Sequence, residues 1–265
     1  GDDHAMGELT IREILYQSSN RGAAYLGVRL GPDGLYQAAR AFGFGEPSGL
    51  YLSAEVLPVS DPRRTGEIGG ILHHPDVWDG LTITRLPMGH AVSATRLQVH
   101  NAMAVIANGG EWHRPRVVNR VFDDAGKTIL TFPDDTPRRV LSEETAATVA
   151  EILHEVVLPG GTARRARVPG LGVAGKTGTT RKIDPNGQYS WRRHIGSFSG
   201  FFPYDDPRLV ITVVVDEPQM QSGPGYGGVV AAPAFRNLAS RCAQYLGIPL
   251  RRETEEALLA QREQR

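Results

Sequence analysis

Apolar residues across positions 9–30 recur at helical spacing, at Ile11, Ile14 and Leu15 and again at Ala23, Ala24 and Leu26. The polar run Gln17-Ser18-Ser19-Asn20, followed by Arg21-Gly22, interrupts them, so the pattern predicts a helix that ends at a polar turn and a second that follows it. Gly31-Pro32-Asp33-Gly34 predicts a turn, and residues 35–42 a short helix leading to Gly43-Phe44-Gly45. Residues 50–80 are rich in Pro, Gly, His and Asp and sustain no period, which reads as a long surface excursion. Residues 93–107 are apolar at Leu97, Val99, Ala102, Met103 and Ile106, and Asn108-Gly109-Gly110 closes that helix. Residues 117–132 read as two short strands around the hairpin signal Asp123-Asp124-Ala125-Gly126. Ser142 caps a helix that runs to about Val157 and stops at Pro159-Gly160-Gly161.

The last third changes period. Residues 173–180, 195–202 and 209–216 read as strands, joined by a linker at 181–193 and by the turn Tyr204-Asp205-Asp206-Pro207. Consecutive strands with short connections predict antiparallel pairing. Residues 233–246 form an amphipathic helix able to cover one face of that sheet, and residues 251–265 a highly charged tail that frays or is disordered.

Composition narrows the function classes. The 265 residues carry 40% hydrophobic and 22% charged side chains, enough for a packed core, and a formal net charge of zero, which argues against a generic nucleic-acid binder. Cys242 is the single cysteine, so an intrachain disulfide and a Cys-based zinc site are excluded. The run at 210–215 is far too short to cross a bilayer, and the start Gly1-Asp2-Asp3-His4 lacks the pattern of a signal peptide. Lysine is scarce: Lys127, Lys176 and Lys182 are the only three, so a functional lysine stands out.

Lys176 opens the run Lys176-Thr177-Gly178-Thr179 at the end of the apolar lead Val173-Ala174-Gly175. An ammonium at the edge of an apolar strand is costly unless it faces a partner or a cleft. Thr177 and Thr179 alternate with Gly178, so a carboxylate is expected to meet the lysine charge and both hydroxyls, with ligand packing against the bare glycine. A Lys-Thr-Gly triplet arises by chance about 0.02 times in such a chain. The bland alternative is an edge-strand lysine that discourages aggregation. Ser18-Ser19-Asn20 is the second signal: a hydroxyl and an amide two residues apart in a turn can relay a proton and hold a substrate carbonyl. A Ser-x-Asn is expected about 0.3 times by chance, and ordinary helix capping accounts for one standing alone.

Together the two motifs correspond to two of the three parts of the serine acyl-transfer signature Ser-x-x-Lys, Ser-Asp-Asn, Lys-Thr-Gly, with Ser19 in the place of the Asp. With them the chain resembles the class B penicillin-binding proteins, the D,D-transpeptidases of peptidoglycan. The resemblance extends through Glu8-Leu9-Thr10, the stretch from Met88 to Gln98, Pro159-Gly160-Gly161-Thr162-Ala163, Phe198-Ser199-Gly200-Phe201-Phe202-Pro203, Asp216-Glu217-Pro218 and the stretch from Tyr226 to Phe235, in the family's order. It implies an α/β penicillin-binding transpeptidase fold: an antiparallel sheet flanked by helices, with a helical subdomain across a cleft. It further implies a partial transpeptidase domain over residues 1–250, with 251–265 as the charged tail.

The same resemblance implies site roles. Ser18 relays a proton toward the leaving group and Asn20 holds the substrate amide. Lys176 supplies positive potential. Thr177 and Thr179 supply hydroxyls, the backbone around Thr179 one oxyanion donor, and Gly178 receives the substrate. No metal and no organic cofactor is implied. The ligands implied are stem peptides ending in D-Ala-D-Ala and β-lactam antibiotics, with cell-division membrane proteins as partners. The place of work implied is the outer face of the bacterial cytoplasmic membrane or the periplasm, with the anchor outside this chain. Ser18-Ser19-Asn20, with no Asp in its third place, leans toward the division-type branch.

Two departures stand out. Arg96 replaces the family's usual Pro at a helix entry. No serine is followed three residues later by lysine, and only seventeen residues precede Ser18, whereas the family's nucleophile lies several tens of residues ahead of Ser-x-Asn. A chain that starts late is the simplest account, and such a chain is expected to be inactive alone. The rival class is a degenerate, non-catalytic module that binds peptide or β-lactam. Three other features are set aside: His73-His74-Pro75-Asp76 as a solvated loop rather than a metal site, Asp205-Asp206 as a turn, and the glycine-rich run at 223–228 as lacking nucleotide-binding spacing.

Overall fold

The computed structural model describes residues 2, 6–50, 67–131, 136–220, 223 and 225–251, with backbone alone at Trp191 and Arg192. Two compact units divide the chain: residues 1–14 with 19–146, and residues 15–18 with 147–265.

The first unit is mainly helical. The short helix α1 (Ile11–Tyr16) begins in it, and α2 (Asn20–Ala41) is its longest element. The turn predicted at Gly31-Pro32-Asp33-Gly34 is smaller than expected. Only Gly31 leaves helical geometry, at φ 82°, and Pro32 then opens the next helical stretch, a position where its missing N–H costs nothing. Of the expected excursion at 50–80, residues 51–66 lie outside the described residues. The remainder holds β1 (Ile71–Leu72) and a 3₁₀ turn at Pro75–Val77. Next come α3 (Thr82–Arg85), a 3₁₀ turn at Leu86–Met88, and β2 (Val92–Ser93), antiparallel to β1.

The helix expected from residue 93 starts later, as α4 (Arg96–Ala107), because Ser93 pairs in β2 and Thr95 caps the helix. Gln98 explains the fixed start. Its side-chain oxygen accepts from the Thr95 N–H at 2.8 Å, while its amide donates to the carbonyls of Gly43, Glu46 and Gly69 at 3.2, 2.8 and 2.7 Å. A glutamine 2% exposed is tolerated only when satisfied in this way. The unit continues with β3 (Glu111–Trp112), the hairpin of β4 (Arg120–Phe122) and β5 (Thr128–Thr131), and β6 (Arg138–Arg139), which pairs with β3. Helix α5 (Glu143–Glu155) begins in this unit and ends in the second.

The second unit is built on a three-stranded antiparallel sheet of β7 (Ala174–Ile183), β8 (Tyr189–Phe202) and β9 (Leu209–Asp216), in that order. The linker expected at 181–193 is mostly strand. Only Asp184 to Gln188 turns, and Lys182 holds the extension by donating to Asp216 and Glu217 at 2.7 and 2.8 Å. Two helices complete the unit, α6 (Gly227–Val230) and α7 (Ala232–Tyr245). Phe198, Phe201, Phe202 and Phe235 are fully buried, each worth roughly 1.5–3 kcal/mol of burial. Phe235 of α7 meets Phe198 and Phe202 edge-on, at 4.6 and 6.3 Å between ring centres. One face of the sheet is thereby sealed by α7. Of the tail expected at 251–265, Arg251 is fastened by its N–H to the Gly170 carbonyl at 2.7 Å, and 252–265 lie outside the described residues.

Candidate active site

Lys176 sits on β7 opposite Ser199, and Thr177, Gly178 and Thr179 follow opposite Phe198, Ser197 and Gly196. In the pleat, residues directly opposite share a face. Thr177 and Thr179 therefore leave the strand on the face of Phe198, where α6 meets β7. Lys176 leaves on the other face, with Gly178 and Ser197. The ammonium and the two hydroxyls thus leave β7 on opposite faces.

The Lys176 ammonium donates to the Ser18 hydroxyl at 2.7 Å, across 158 residues of sequence. The lysine keeps part of its surface in contact with solvent, yet loss of hydration around the ammonium pulls its pKa down to about 8. Ser18 is held in an unusual backbone state. It follows α1, its N–H donates to the Leu15 carbonyl at 3.3 Å, and its φ is 61°. A left-handed conformation costs a residue with a Cβ about 1–2 kcal/mol. Such strain persists only where the surroundings impose it, and it collects at functional sites.

The hydroxyls of the Lys-Thr-Gly-Thr run have partners of their own. Thr177 Oγ1 lies 3.1 Å from Thr162 Oγ1. Thr179 Oγ1 accepts from the Gly227 N–H at 3.1 Å, which leaves its own proton to point elsewhere. Gly227 comes this close because it has no side chain: a Cβ there would lie 2.2 Å from the Ser197 carbonyl and 2.5 Å from that of Gly178. Thr162 and Gly227 fall in segments that carry the family resemblance, but sequence reasoning gave neither a role. Their relation to β7 is a product of folding that no local period encodes.

Asn20, in the first unit, begins α2. Its N–H donates to Asp2 at 2.5 Å, and Ser19, 3% exposed, both donates to Asp2 at 3.0 Å and accepts from the Gly22 N–H at 3.0 Å as the helix cap. Partial burial pushes the Asp2 carboxyl up, but these hydrogen bonds outweigh it and leave its pKa below the usual range. Ser19 is thus occupied by capping, while the two residues that flank it carry the motif.

Features set aside on sequence take local roles. His74 accepts from the Asp76 N–H at the start of a 3₁₀ turn, and no group of three or more metal-ligating side chains occurs among the described residues. Asp205 forms an ion pair with Arg251 at the β8–β9 turn.

Comparison with known proteins decides the family. The family described as the penicillin-binding protein transpeptidase domain matches residues 2–240. The chain belongs to the class B penicillin-binding protein transpeptidases. Among its relatives, penicillin-binding protein PbpB of Mycobacterium tuberculosis is 35% identical over 256 residues, covering 94% of this chain and 36% of that protein. A probable peptidoglycan D,D-transpeptidase, FtsI, of Caulobacter vibrioides is 34% identical, covering 95% of this chain and 40% of its own length. The chain therefore spans well under half the length of these relatives. Among solved structures, penicillin-binding protein 3 of M. tuberculosis in complex with aztreonam shares 34% identity at a TM-score of 0.80, covering 91% of this chain and 52% of that one. Its complex with ampicillin gives a TM-score of 0.81 at 33% identity, covering 93% of this chain and 53% of that one. The α/β transpeptidase fold, with an antiparallel sheet flanked by helices, is the fold of this family and of this chain.

Proposed function

We propose that this chain supplies the second and third active-site motifs of a serine-type peptidoglycan D,D-transpeptidase, which cross-links stem peptides and is acylated by β-lactams. The hydrogen bond from Lys176 to Ser18 carries this reading, because it unites the two motifs that acyl transfer needs from this part of the chain. The nucleophile belongs to a Ser-x-x-Lys segment that these 265 residues do not contain. That serine attacks the D-Ala-D-Ala carbonyl, and backbone N–H groups, one of them near Thr179, hold the oxyanion. Collapse expels D-Ala, whose nitrogen takes a proton passed through Ser18. An amine of a neighbouring strand then attacks the acyl-serine and restores the hydroxyl.

Each residue has a stated part. Lys176, charged below about pH 8, lowers the cost of negative charge at Ser18 and steers the carboxylate. Thr177 and Thr179 present hydroxyls to that carboxylate from the other face of β7, so the lysine acts on it through its field and not by contact, and Gly178 leaves the strand open to the substrate backbone. Asn20 holds the substrate amide. The protein works at the outer face of the bacterial cytoplasmic membrane or in the periplasm, in the division branch of the family, beside membrane proteins of division. A second reading is a non-catalytic module that binds peptide or β-lactam.

Incubation with a fluorescent penicillin, followed by intact-mass measurement, separates the readings. This chain alone is expected to stay unmodified, whereas a longer form bearing Ser-x-x-Lys gains one adduct on that serine. An adduct on Ser18 in the short chain overturns the assignment of the nucleophile. A longer form that binds penicillin reversibly without acylation favours the binding module.

A further inference from the structure

Thr177 and Thr179 are treated differently by the fold. The direction of the hydrogen bond at Thr179 is fixed, because the Gly227 N–H can only donate. At Thr177 the partner is another hydroxyl, that of Thr162, and either oxygen can donate. The two hydroxyls hold two protons between them, and one is spent on their mutual bond. The other is available to a ligand, and an anion beside the pair selects the arrangement in which Thr162 donates to Thr177 and Thr177 donates outward. Hydrogen bonds arranged in series polarise one another, so a hydroxyl that receives a donor is a better donor itself.

Thr162 is also firmly built in. It follows Gly161, where a Cβ would lie 2.2 Å from the Val156 carbonyl, and precedes Ala163, which is fully buried and donates its N–H to that same carbonyl at 2.9 Å. Its own carbonyl lies against Gly228, 2.4 Å from where a Cβ would be. The turn thus has little freedom to shift, while the Thr162 side chain remains exposed beside Thr177.

We propose that Thr162 is a positioning residue that fixes the rotamer and the outward proton of Thr177, and through it the site for the carboxylate of the incoming acyl donor. This rests on the transpeptidase reading for the ligand, but not for the contact itself.

Two measurements test it. In this chain, three-bond couplings to the Thr177 methyl group report its χ1. They are expected to show one rotamer in the wild type and in Thr162→Ser, and averaging in Thr162→Val. Unchanged couplings in Thr162→Val overturn the proposal whatever the protein catalyses. In a longer form with its nucleophile, Thr162→Val is expected to lower the second-order rate of penicillin acylation about fivefold, the scale of one hydrogen bond. The loss falls on reversible binding rather than on the limiting rate, Thr162→Ser restores it, and Thr162→Val adds nothing further in a Thr177→Val background. Equal losses in both backgrounds overturn the proposal. A wild type that never acylates sinks the transpeptidase reading instead, and the rotamer measurement still decides for Thr162.

Discussion

Lys176 and Ser18 stand 158 residues apart in sequence and 2.7 Å apart in space, where the ammonium donates to the hydroxyl and joins the two motifs directly. The lysine meets this partner with a weakened hold on its proton, at a pKa of about 8. A charged donor and a strained hydroxyl therefore face each other near the pH where the charge becomes negotiable.

The first consequence is spectroscopic. With three lysines in the chain, side-chain resonances are few enough to follow singly. Lys176 is expected to titrate near pH 8, whereas Lys182 is raised above the ordinary lysine range by the hydrogen bonds it donates to Asp216 and Glu217. In an acylating form, the second-order rate for penicillin falls as pH rises through the Lys176 pKa, because the carboxylate loses its attractor. Lys176→Arg is expected to shift that limb to higher pH, since guanidinium stays charged. A limb that stays put in the arginine variant removes Lys176 from the role.

The same shift bears on stability. The unfolded chain holds the Lys176 proton to about pH 10.5, and the folded chain releases it near 8. Between those values the unfolded state binds more protons, so this lysine's standing cost, full below pH 8, is relieved as pH rises. The relief is about 1–3 kcal/mol at most, the lower end reflecting the surface that Lys176 keeps in solvent. Urea denaturation of the wild type and Lys176→Met at pH 7 and pH 10 reads it as a change in the difference between them. A constant difference refutes the shift.

Gly227 tests how α6 reaches β7. Replacing it with alanine puts a methyl group 2.2 Å from the Ser197 carbonyl, where backbone must move. Overpacking of this kind costs typically 1–3 kcal/mol, and the displaced helix gives up the bond to Thr179. Calorimetry on Gly227→Ala should show a melting temperature lower by several degrees, about 2–4 °C per kcal/mol for a chain of this size. An unchanged melting temperature means that α6 does not seat on the strand as described.

Much of this was legible before any coordinates. The short strand-like runs of the last third gave β9 at its observed bounds and the heart of β7 and β8, because β-branched and aromatic residues bounded by turn signals favour a sheet. Lys176, Thr177 and Thr179 stood out by rarity and spacing. What escaped was set by tertiary contact. The ends of β7 and β8 run through polar residues that Lys182 and its two carboxylates stabilise, with no hydrophobic pattern to betray them. Helix α4 starts at Arg96 rather than at Ser93 because Gln98 gathers three carbonyls from distant segments. The division of labour between the two faces of β7 followed from alternation that sequence already contained, but the helix that covers one of them had first to be placed.

Ser18 carries the last prediction. Its φ of 61° is a cost that a glycine would avoid, since glycine has no Cβ to crowd the left-handed region. Serine at this position trades stability for a hydroxyl beside Lys176. Comparing Ser18→Gly with Ser18→Ala isolates the strain, because both variants lose the hydroxyl and its bond, and only alanine keeps the crowded Cβ. Glycine's greater freedom in the unfolded chain offsets part of the gain, so Ser18→Gly should be more stable than Ser18→Ala by about 0.5–1 kcal/mol. In an acylating form the two variants should be equally impaired, since neither can pass a proton. Greater stability of the alanine variant shows that the left-handed backbone is no burden at this turn. If the glycine variant acylates as fast as wild type, the proton reaches the leaving group by a route that does not include Ser18.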